Sequence, residues 1–191
     1  MGTDETELIR RWQAGDPAAF AALVRRWQQP MARFLYHMVQ RKELIQDLCQ
    51  EVFLRAYQAG PRYRENGRFS SWLYTIALNV ARDAGRGRQR ESLPIDEEVL
   101  AARSFSPASS CEQQELAGIV RRAVAELPEP LRIVLVLRHY EGMNFEQISR
   151  LLGTPASTLK SRFAAALGRL REQLKSLAPL PYPLPPGERE G

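Results

Sequence analysis

Apolar residues recur along much of the chain at the three- and four-residue spacing of an amphipathic helix. The clearest stripe is preceded by Asp16, a suitable N-cap residue, and by Pro17, which fits the first helical position. We therefore predict a long helix that begins at Pro17. Its buried face would consist of Phe20, Leu23, Val24, Trp27, Met31, Phe34, Leu35 and Met38.

Two more helices are predicted in the first half of the chain. One spans about Lys42 to Ala59 and is closed by Gly60–Pro61. The other begins at Ser70 or Ser71, runs to about Ala84, and ends in Gly85–Arg86–Gly87.

The second half of the chain has the same periodicity. Pro128 and Pro130 interrupt it, and Leu131–Tyr140 resumes it. One helical face before the prolines comprises Leu116, Ile119, Val120, Ala123, Val124 and Leu127. No segment alternates with the period of two that is typical of a strand, so the sequence predicts an all-α fold.

Charge and proline content divide the chain. Residues 1–90 carry a net charge of +6, residues 91–125 of −3, and residues 126–178 of +3. The acidic segment contains two prolines and a run of small polar residues, a composition typical of a linker. We expect two small helical domains joined by a flexible linker, with a proline-rich disordered tail. Their boundaries are 1–90, 91–111 for the linker, 112–178, and 179–191 for the tail.

Overall composition narrows the classes of function. The formal net charge is +5 and the isoelectric point about 9.6, which favours a polyanionic partner. The longest apolar run has seven residues, whereas a bilayer-spanning helix needs ~20. Two cysteines and two histidines match no metal spacing or hydrolase triad. We expect a cytoplasmic binding protein without cofactor, metal, membrane insertion or catalytic residues.

The segment Asn144–Pro155 has the pattern of a helix-turn-helix. A short helix ends at Gly153, and Thr154 can cap a second helix with Pro155 at its first position. The inward face of that helix would be Leu159, Phe163, Ala166, Leu167, Leu170 and Leu174, with Ser157, Lys160, Ser161 and Ala164 outward. An N-terminal polar face suits the DNA major groove, although an αα-hairpin in a helical bundle would explain the same pattern.

Arginines and aromatic residues are interleaved between Arg62 and Arg90. This stretch has seven arginines against two carboxylates, with Tyr63, Phe69, Trp72 and Tyr74 among them. Cations with exposed aromatic rings favour binding of single-stranded DNA. The alternative is that Phe69, Trp72 and Ile76 belong to the core. A core does not require the polar stripe Asn79, Arg82 and Arg86.

Asp47, Gln50 and Glu51 share one face of the predicted second helix, while Leu44, Leu48 and Val52 form a separate apolar row. This acidic–amide patch is compatible with a solvated surface. It is equally compatible with docking of a basic protein partner.

Taken together, the three segments resemble the extracytoplasmic-function group of the sigma-seventy family of bacterial transcription initiation factors. Asp47–Phe53 is similar to the family's region two point two, Phe69–Asn79 to its promoter-melting segment, and Leu127–Arg162 to its region four. The resemblance covers roughly residues 8–90 and 112–175. It implies a sigma factor that binds core RNA polymerase, recognises a promoter and opens it.

The resemblance also implies roles for individual residues. The residues implied to dock on core polymerase are Asp47, Gln50, Glu51 and Phe53. Those implied to bind the melted minus-ten strand are Arg64, Arg68, Phe69, Asn79, Arg82 and Arg86. Those implied to bind the minus-thirty-five duplex are Ser157, Thr158, Lys160, Ser161 and Arg162. An anti-sigma protein is a further partner that the family allows.

One departure from the family's pattern concerns the second helix of the helix-turn-helix. Ala165 and Leu167 stand where the family usually has arginines. Each lost phosphate contact weakens DNA binding and lowers its salt dependence by roughly one unit of slope. We expect this domain to hold duplex DNA less tightly than a typical member does.

Two other classes of protein remain compatible with parts of the sequence. A dimeric helix-turn-helix regulator would explain residues 126–178 but would leave the Arg62–Arg90 segment and the acidic patch without a role. A helical adaptor that sequesters partners would treat the arginines as solvated surface.

Overall fold

The computed structural model of the chain describes residues 4–64, 69–88 and 111–177, and these residues form α-helices, short helical turns and connecting loops without a β-strand. The all-α prediction is therefore confirmed. The helices are α1 Glu5–Gln13, α2 Pro17–Val39, α3 Ile45–Ala59, α4 Phe69–Arg88, α5 Cys111–Glu126, α6 Glu129–Leu135, α7 Phe145–Leu152 and α8 Ala156–Leu177.

Helices α1 to α4 form an N-terminal unit in which α2 lies at the centre, packed against α1, α3 and α4. The Asp16 side chain accepts hydrogen bonds from the amides of Ala18 and Ala19, which confirms the predicted start of α2 at Pro17. Helix α1 was not predicted. It is only nine residues long and buries three apolar side chains, Leu8, Ile9 and Trp12, too few for a clear periodic pattern.

Two boundaries of the N-terminal unit differ from the prediction. Lys42–Leu44 forms a 3₁₀ turn, and the α-helix begins at Ile45. Helix α4 continues through Gly85 to Arg88, although a helix end was expected at Gly85. Glycine in a helix costs about 1 kcal/mol relative to alanine, which does not by itself end a helix. Gly85 does not adopt the left-handed conformation that a glycine C-cap requires.

Helices α5 to α8 form a C-terminal unit. The predicted interruption at Pro128 and Pro130 is confirmed, because α5 ends at Glu126 and α6 begins at Glu129. The helix resumes two residues earlier than the expected Leu131, and Pro130 lies in its first turn, where its missing amide needs no partner. A π-helical turn, Val136–Tyr140, extends α6. Asn144 and Gln147 form a capping box at the start of α7, and Gly153 ends it with φ +62°, as predicted.

Two predictions about α8 are wrong. The Thr154 hydroxyl donates back to the carbonyl of Leu152 at 3.4 Å and does not cap the helix, which begins at Ala156. Leu167 is 47% exposed and does not face the core. The buried face comprises Leu159 and Ala166, with Phe163, Leu170 and Leu174 partly buried. Leu167 follows Ala166 by one residue, or about 100° around the helix, and so leaves this face.

The two units pack against each other. Apolar side chains of α6, α7, α8 and the π turn, such as Val134 and Ile148, belong to the same buried cluster as Phe34 and Leu73 of the N-terminal unit. Val124, Leu127, Leu135 and Ala166 form a smaller cluster inside the C-terminal unit. Residues 91–110 of the predicted linker and the whole of the predicted tail, 179–191, lie outside the described residues.

Within the ranges given above, no helix has the length and apolar character needed to cross a bilayer. The same ranges contain no group of three or more histidine, cysteine, aspartate or glutamate residues that could hold a metal ion. Cys49 is half-buried, and burial raises the pKa of its thiol to about 11, so it is a neutral thiol at physiological pH.

Candidate functional site

The acidic–amide patch lies on the outer face of α3. Asp47 and Gln50 are exposed, whereas Val52 is fully buried on the opposite side of the helix. The exposed face continues to two large apolar side chains, Leu54 and Tyr57, which are 52% and 53% exposed. These two residues were not identified from the sequence, because a single leucine or tyrosine in a helix is ordinarily expected to be buried. Phe53 is partly buried in the core of the unit.

Ion pairs connect this patch to α4. Arg55 Nε lies 2.6 Å from Glu51 Oε1, and Arg55 Nη1 lies 2.9 Å from Asp83 Oδ2. The hydrogen bond from Arg55, followed by that from Arg86, holds the pKa of the Asp83 carboxyl below its ordinary value. Arg55 therefore links the acidic patch of α3 to the polar face of α4.

The polar stripe predicted on α4 is present as a surface. Asn79, Arg82 and Arg86 are all exposed. Arg82 Nε lies 2.7 Å from Glu129 Oε1 of α6, and Arg86 pairs with Asp83. Among the described residues, the Asn79 side chain forms no hydrogen bond. Both arginines thus already have carboxylate partners, whereas the amide is available to a ligand.

The aromatic residues of this segment lie mostly in the core. Phe69 is 3% exposed and its ring packs against those of Trp27, Tyr63 and Trp72. Trp72 and Ile76 are partly buried against the same core. Phe69 therefore belongs to the core, as the alternative interpretation of the sequence stated. In this conformation its ring has no exposed face that a base could stack on. Arg64 is exposed, and Arg68 lies outside the described residues.

Helices α7 and α8 meet at Gly153 in the predicted helix-turn-helix order. Four of the predicted DNA-binding residues, Ser157, Thr158, Lys160 and Ser161, are exposed on the first turns of α8, and Arg162 is partly buried. The Ser161 hydroxyl donates to the carbonyl of Ser157 at 3.2 Å. Lys160 has no ion pair in the part of the chain that the structure describes. The outward face then continues through Ala164 and Ala165, both exposed.

A cluster that sequence reasoning missed lies between the two units. The carboxylate of Glu141 accepts hydrogen bonds from Arg33 of α2 and from the Tyr74 hydroxyl of α4. Burial, and then the hydrogen bond to Glu141, raise the pKa of Tyr74. These residues are separated by 67 and 108 positions in the chain. No local pattern could have brought them together.

Comparison with protein families identifies the two units separately. Residues 23–91 match the family model for Sigma-70 region 2, and residues 117–170 match the model for Sigma-70, region 4. The first match contains α3 and α4, and the second contains the helix-turn-helix. These matches define the class of the protein: it is an RNA polymerase sigma factor.

Curated relatives narrow the class further. The RNA polymerase sigma-H factor of Pseudomonas aeruginosa is 34% identical over 191 aligned residues, covering 92% of this chain and 95% of the relative. The ECF RNA polymerase sigma-E factor of Escherichia coli K12 is 31% identical, covering 92% and 96%. The chain belongs to the extracytoplasmic-function group of the sigma-70 family.

Two solved structures share the fold. CnrH, in complex with the cytosolic domain of CnrY, aligns with a TM-score of 0.72 and 23% identity over 91% of this chain and 99% of its own. The sigma factor RpoE from Bartonella quintana, in complex with the anti-sigma factor NepR, aligns with a TM-score of 0.68 and 22% identity over 82% and 96%.

Proposed function

We propose that this sigma factor uses three separate helix faces to bind three different partners. The outer face of α3 docks on core RNA polymerase, the polar stripe of α4 holds the melted minus-ten strand, and the first turns of α8 read the minus-thirty-five duplex. The observation that supports this assignment is the exposure of all three polar faces on helices that lie inside the matched regions two and four.

On α3, charge and apolar surface lie side by side. Asp47 and Gln50 supply a negative and a hydrogen-bonding group, and Leu54 and Tyr57 supply apolar area two turns further along the helix. A surface of this kind fits a basic partner helix that also offers apolar side chains. Charge complementarity selects the partner and its orientation, and apolar burial contributes the larger share of the affinity.

On α4, the chemistry suits an unpaired strand. Arg82 and Arg86 can exchange their carboxylates for phosphates, and the Asn79 amide can donate to and accept from a base edge. Holding bases outside the stack offsets an unstacking cost of a few kcal/mol per base. The protein thereby stabilises the open promoter without a chemical step of its own, and no residue in this proposal acts as a catalyst.

On α8, duplex recognition rests on a short polar N-terminal face. Lys160 is long enough to reach a base edge or a phosphate, and the backbone amides of the first turn favour an anion. Beyond this face the helix offers Ala164, Ala165 and exposed Leu167. This unit therefore makes few phosphate contacts, and its binding to duplex DNA depends weakly on salt.

Further partners and location follow from the same assignment. Both solved neighbours are complexes in which a sigma factor or its relative is held by another protein, CnrY in one and the anti-sigma factor NepR in the other. We infer that an anti-sigma protein also binds this chain. Its work on polymerase and promoter DNA places it in the cytoplasm.

In vitro transcription with purified core polymerase over a pool of genomic promoters tests the function. We expect specific start sites that appear only when the protein is added. Start sites that are the same without it would contradict the function, as would binding to duplex DNA as a dimer that needs no polymerase. The matched variants Asp47→Lys and Glu7→Lys, both reversals of an exposed carboxylate, separate the α3 face from general charge.

A further inference from the structure

The last residue of α1 is bonded to the chain between α3 and α4. The side-chain nitrogen of Gln13 donates to the carbonyl of Tyr63 at 2.6 Å and to that of Gly60 at 3.2 Å. An amide nitrogen carries two hydrogens, which is one for each carbonyl. Gln13 is otherwise exposed. Its side chain therefore contributes these two hydrogen bonds and not core packing.

The segment Gly60–Tyr63, which we call the α3–α4 turn, is packed on two sides. On one side the ring of Trp12 lies so close to Gly60 that a Cβ there would overlap it. On the other side the ring of Tyr63 packs against Trp72 of α4, with a centroid separation of 4.7 Å. These contacts hold the side chains of the turn, whereas Gln13 holds two of its carbonyls.

Helix α1 is also anchored at its other end. The indole nitrogen of Trp27 on α2 donates to Glu5 at 2.9 Å, and Arg26 Nε lies 3.4 Å from the same carboxylate oxygen. The helix is thus fixed both to α2 and to the α3–α4 turn. It precedes residues 23–91, the part of the chain that matches the region 2 family model. The contact from Gln13 to the turn therefore comes from outside the matched region.

The Tyr63 carbonyl belongs to the peptide group that joins Tyr63 to Arg64. A peptide group is planar, so a hydrogen bond to its oxygen restricts the orientation of the whole group and the direction in which the next residue leaves. Arg64 is exposed and has no ion pair within the described ranges. It is also one of the cations that the sequence assigns to the melted minus-ten strand. Gln13 thus acts on the backbone position of a cation available to phosphate.

We propose that Gln13 is a positioning residue for the melted minus-ten strand, which holds Arg64 in its binding orientation through the Tyr63 carbonyl. The proposal rests on the proposed binding of that strand by the N-terminal unit, and it extends the machinery to α1. A cation that is already oriented loses less conformational freedom on binding. Without the two hydrogen bonds the turn samples other orientations, and the apparent affinity falls with the fraction that remains competent.

A double-mutant cycle in the full-length chain tests this role. Gln13→Ala removes both hydrogen bonds, and Gln13→Glu keeps the size of the side chain but turns oxygens towards the two carbonyls. Arg64→Ala and the double variant Q13A/R64A complete the cycle. The matched control is Gln28→Ala, which truncates an exposed glutamine of α2 that forms no hydrogen bond in the described part of the chain. The readouts are affinity for core polymerase and fluorescence anisotropy of a labelled minus-ten single strand bound to the holoenzyme.

We expect Gln13→Ala and Gln13→Glu to weaken strand binding about fivefold, which is the scale of one lost hydrogen bond. Gln28→Ala should bind the strand as the parent does, and no variant should change the affinity for core polymerase. Q13A/R64A should bind no more weakly than Arg64→Ala alone, because Gln13 acts through Arg64. A glutamine that only stabilised the fold would weaken binding by the same factor whether or not Arg64 is present.

Three results would overturn the positioning role. They are parent-like strand binding by both Gln13 variants, parent-like binding by Arg64→Ala, and effects of Gln13→Ala and Arg64→Ala that multiply in the double variant. Asn79→Ala distinguishes this failure from failure of the proposed function. If Asn79→Ala weakens strand binding and the Gln13 variants do not, only the positioning role fails. If Asn79→Ala and Arg64→Ala both bind as the parent does, the assignment of the strand to this unit fails as well.

Discussion

The two faces proposed to bind nucleic acid, one on each unit, differ in how their cations are paired. On α4 of the N-terminal unit, Arg82 and Arg86 are already paired with carboxylates. On α8 of the C-terminal unit, Lys160 is exposed and has no ion pair in the described part of the chain. Binding to α4 must exchange partners, whereas binding to α8 needs no exchange. Under the proposed assignment, the melted strand would therefore bind arginines that must first leave a carboxylate, and the duplex would bind a face whose few cations are unpaired.

Their interiors differ as well. The N-terminal unit contains a continuous series of aromatic ring contacts, in which Trp12 packs against Phe20 and Trp72, and Trp72 packs against Tyr63 and Phe69. The separate core cluster of the C-terminal unit is small and aliphatic. Closely packed rings accommodate changes in side-chain volume poorly. We therefore expect core substitutions to destabilise the N-terminal unit more than the C-terminal unit.

The largest expected effect concerns polymerase docking. D47K/E51K should lower the affinity for core polymerase by about 100-fold or more, because it replaces two negative charges with positive ones at the proposed contact. Gel filtration or anisotropy with purified core polymerase measures it. E7K/E172K reverses two exposed charges elsewhere and should bind normally. Normal holoenzyme formation by D47K/E51K, with helix content unchanged by circular dichroism, would remove this patch from the interface.

A second prediction compares one glycine from each unit. A Cβ on Gly60 would overlap the ring of Trp12, which is 6% exposed, so Gly60→Ala should destabilise the protein by about 1–3 kcal/mol. A Cβ on Gly168 in α8 meets nothing within 4 Å, so Gly168→Ala should stabilise it by about 0.5–1 kcal/mol. Urea unfolding measures both. If Gly60→Ala and Gly168→Ala changed the free energy of unfolding equally, the two units would not differ in how tightly they are packed at these positions.

A third prediction separates the two nucleic-acid faces. Asn79→Ala should reduce open-complex formation, measured by permanganate reactivity of the melted strand, and leave duplex binding unchanged. Lys160→Ala should do the reverse, weakening binding to minus-thirty-five duplex by ~1–3 kcal/mol if the contact is to a base. Variants that each impair both activities equally would show that the two faces do not act separately.

A fourth prediction concerns pH. Burial, followed by the charges of Arg33, Arg121 and His139, lowers the pKa of His37 to about 4. Between pH 6.5 and 4 the unfolded chain binds a proton at this site that the folded chain does not. Stability therefore rises with pH across this window and falls on acidification.

We expect the protein to lose up to about 2 kcal/mol from this site between pH 7 and pH 5. His37→Phe should remove that loss while keeping a ring against Tyr140. Urea unfolding at both pH values measures it. His139→Gln removes only the smallest of these charges and should retain most of the loss. If His37→Phe unfolds with the same pH dependence as the parent, His37 is not the group responsible.

The smallest expected effect concerns Ala165, which stands where the family usually has an arginine. Ala165→Arg should tighten binding to minus-thirty-five duplex by a few-fold at low salt and increase the salt slope by roughly one unit. Ala21→Arg adds the same charge at an exposed position of α2 and should change neither. Fluorescence anisotropy over a salt series distinguishes the two. An affinity and slope unaffected by Ala165→Arg would mean that this face of α8 does not meet phosphate.

Local sequence determined the helices and several of their ends. Asp16 and Pro17 specify the start of α2, and Asn144, Gln147 and Gly153 specify both ends of α7, because caps act over only a few residues. The same periodicity placed Ser157, Lys160 and Ser161 outside and Leu159 inside. It failed for Leu167, because the buried arc of α8 is narrower than its apolar content suggests.

The contacts that each exposed residue makes depend on the tertiary structure. The sequence alone indicated that Arg82 is a surface cation, but only the packing of α6 beside α4 gives it Glu129 as a partner. The sequence likewise gave no sign that Glu141 is buried between Arg33 and Tyr74, and it left open whether Phe69 belongs to the core or to the DNA-binding surface. Helix formation and capping depend on neighbours within about four residues, so they can be read from sequence. The ion pair between Arg33 and Glu141 depends instead on how whole helices pack, and a local sequence pattern does not specify that packing.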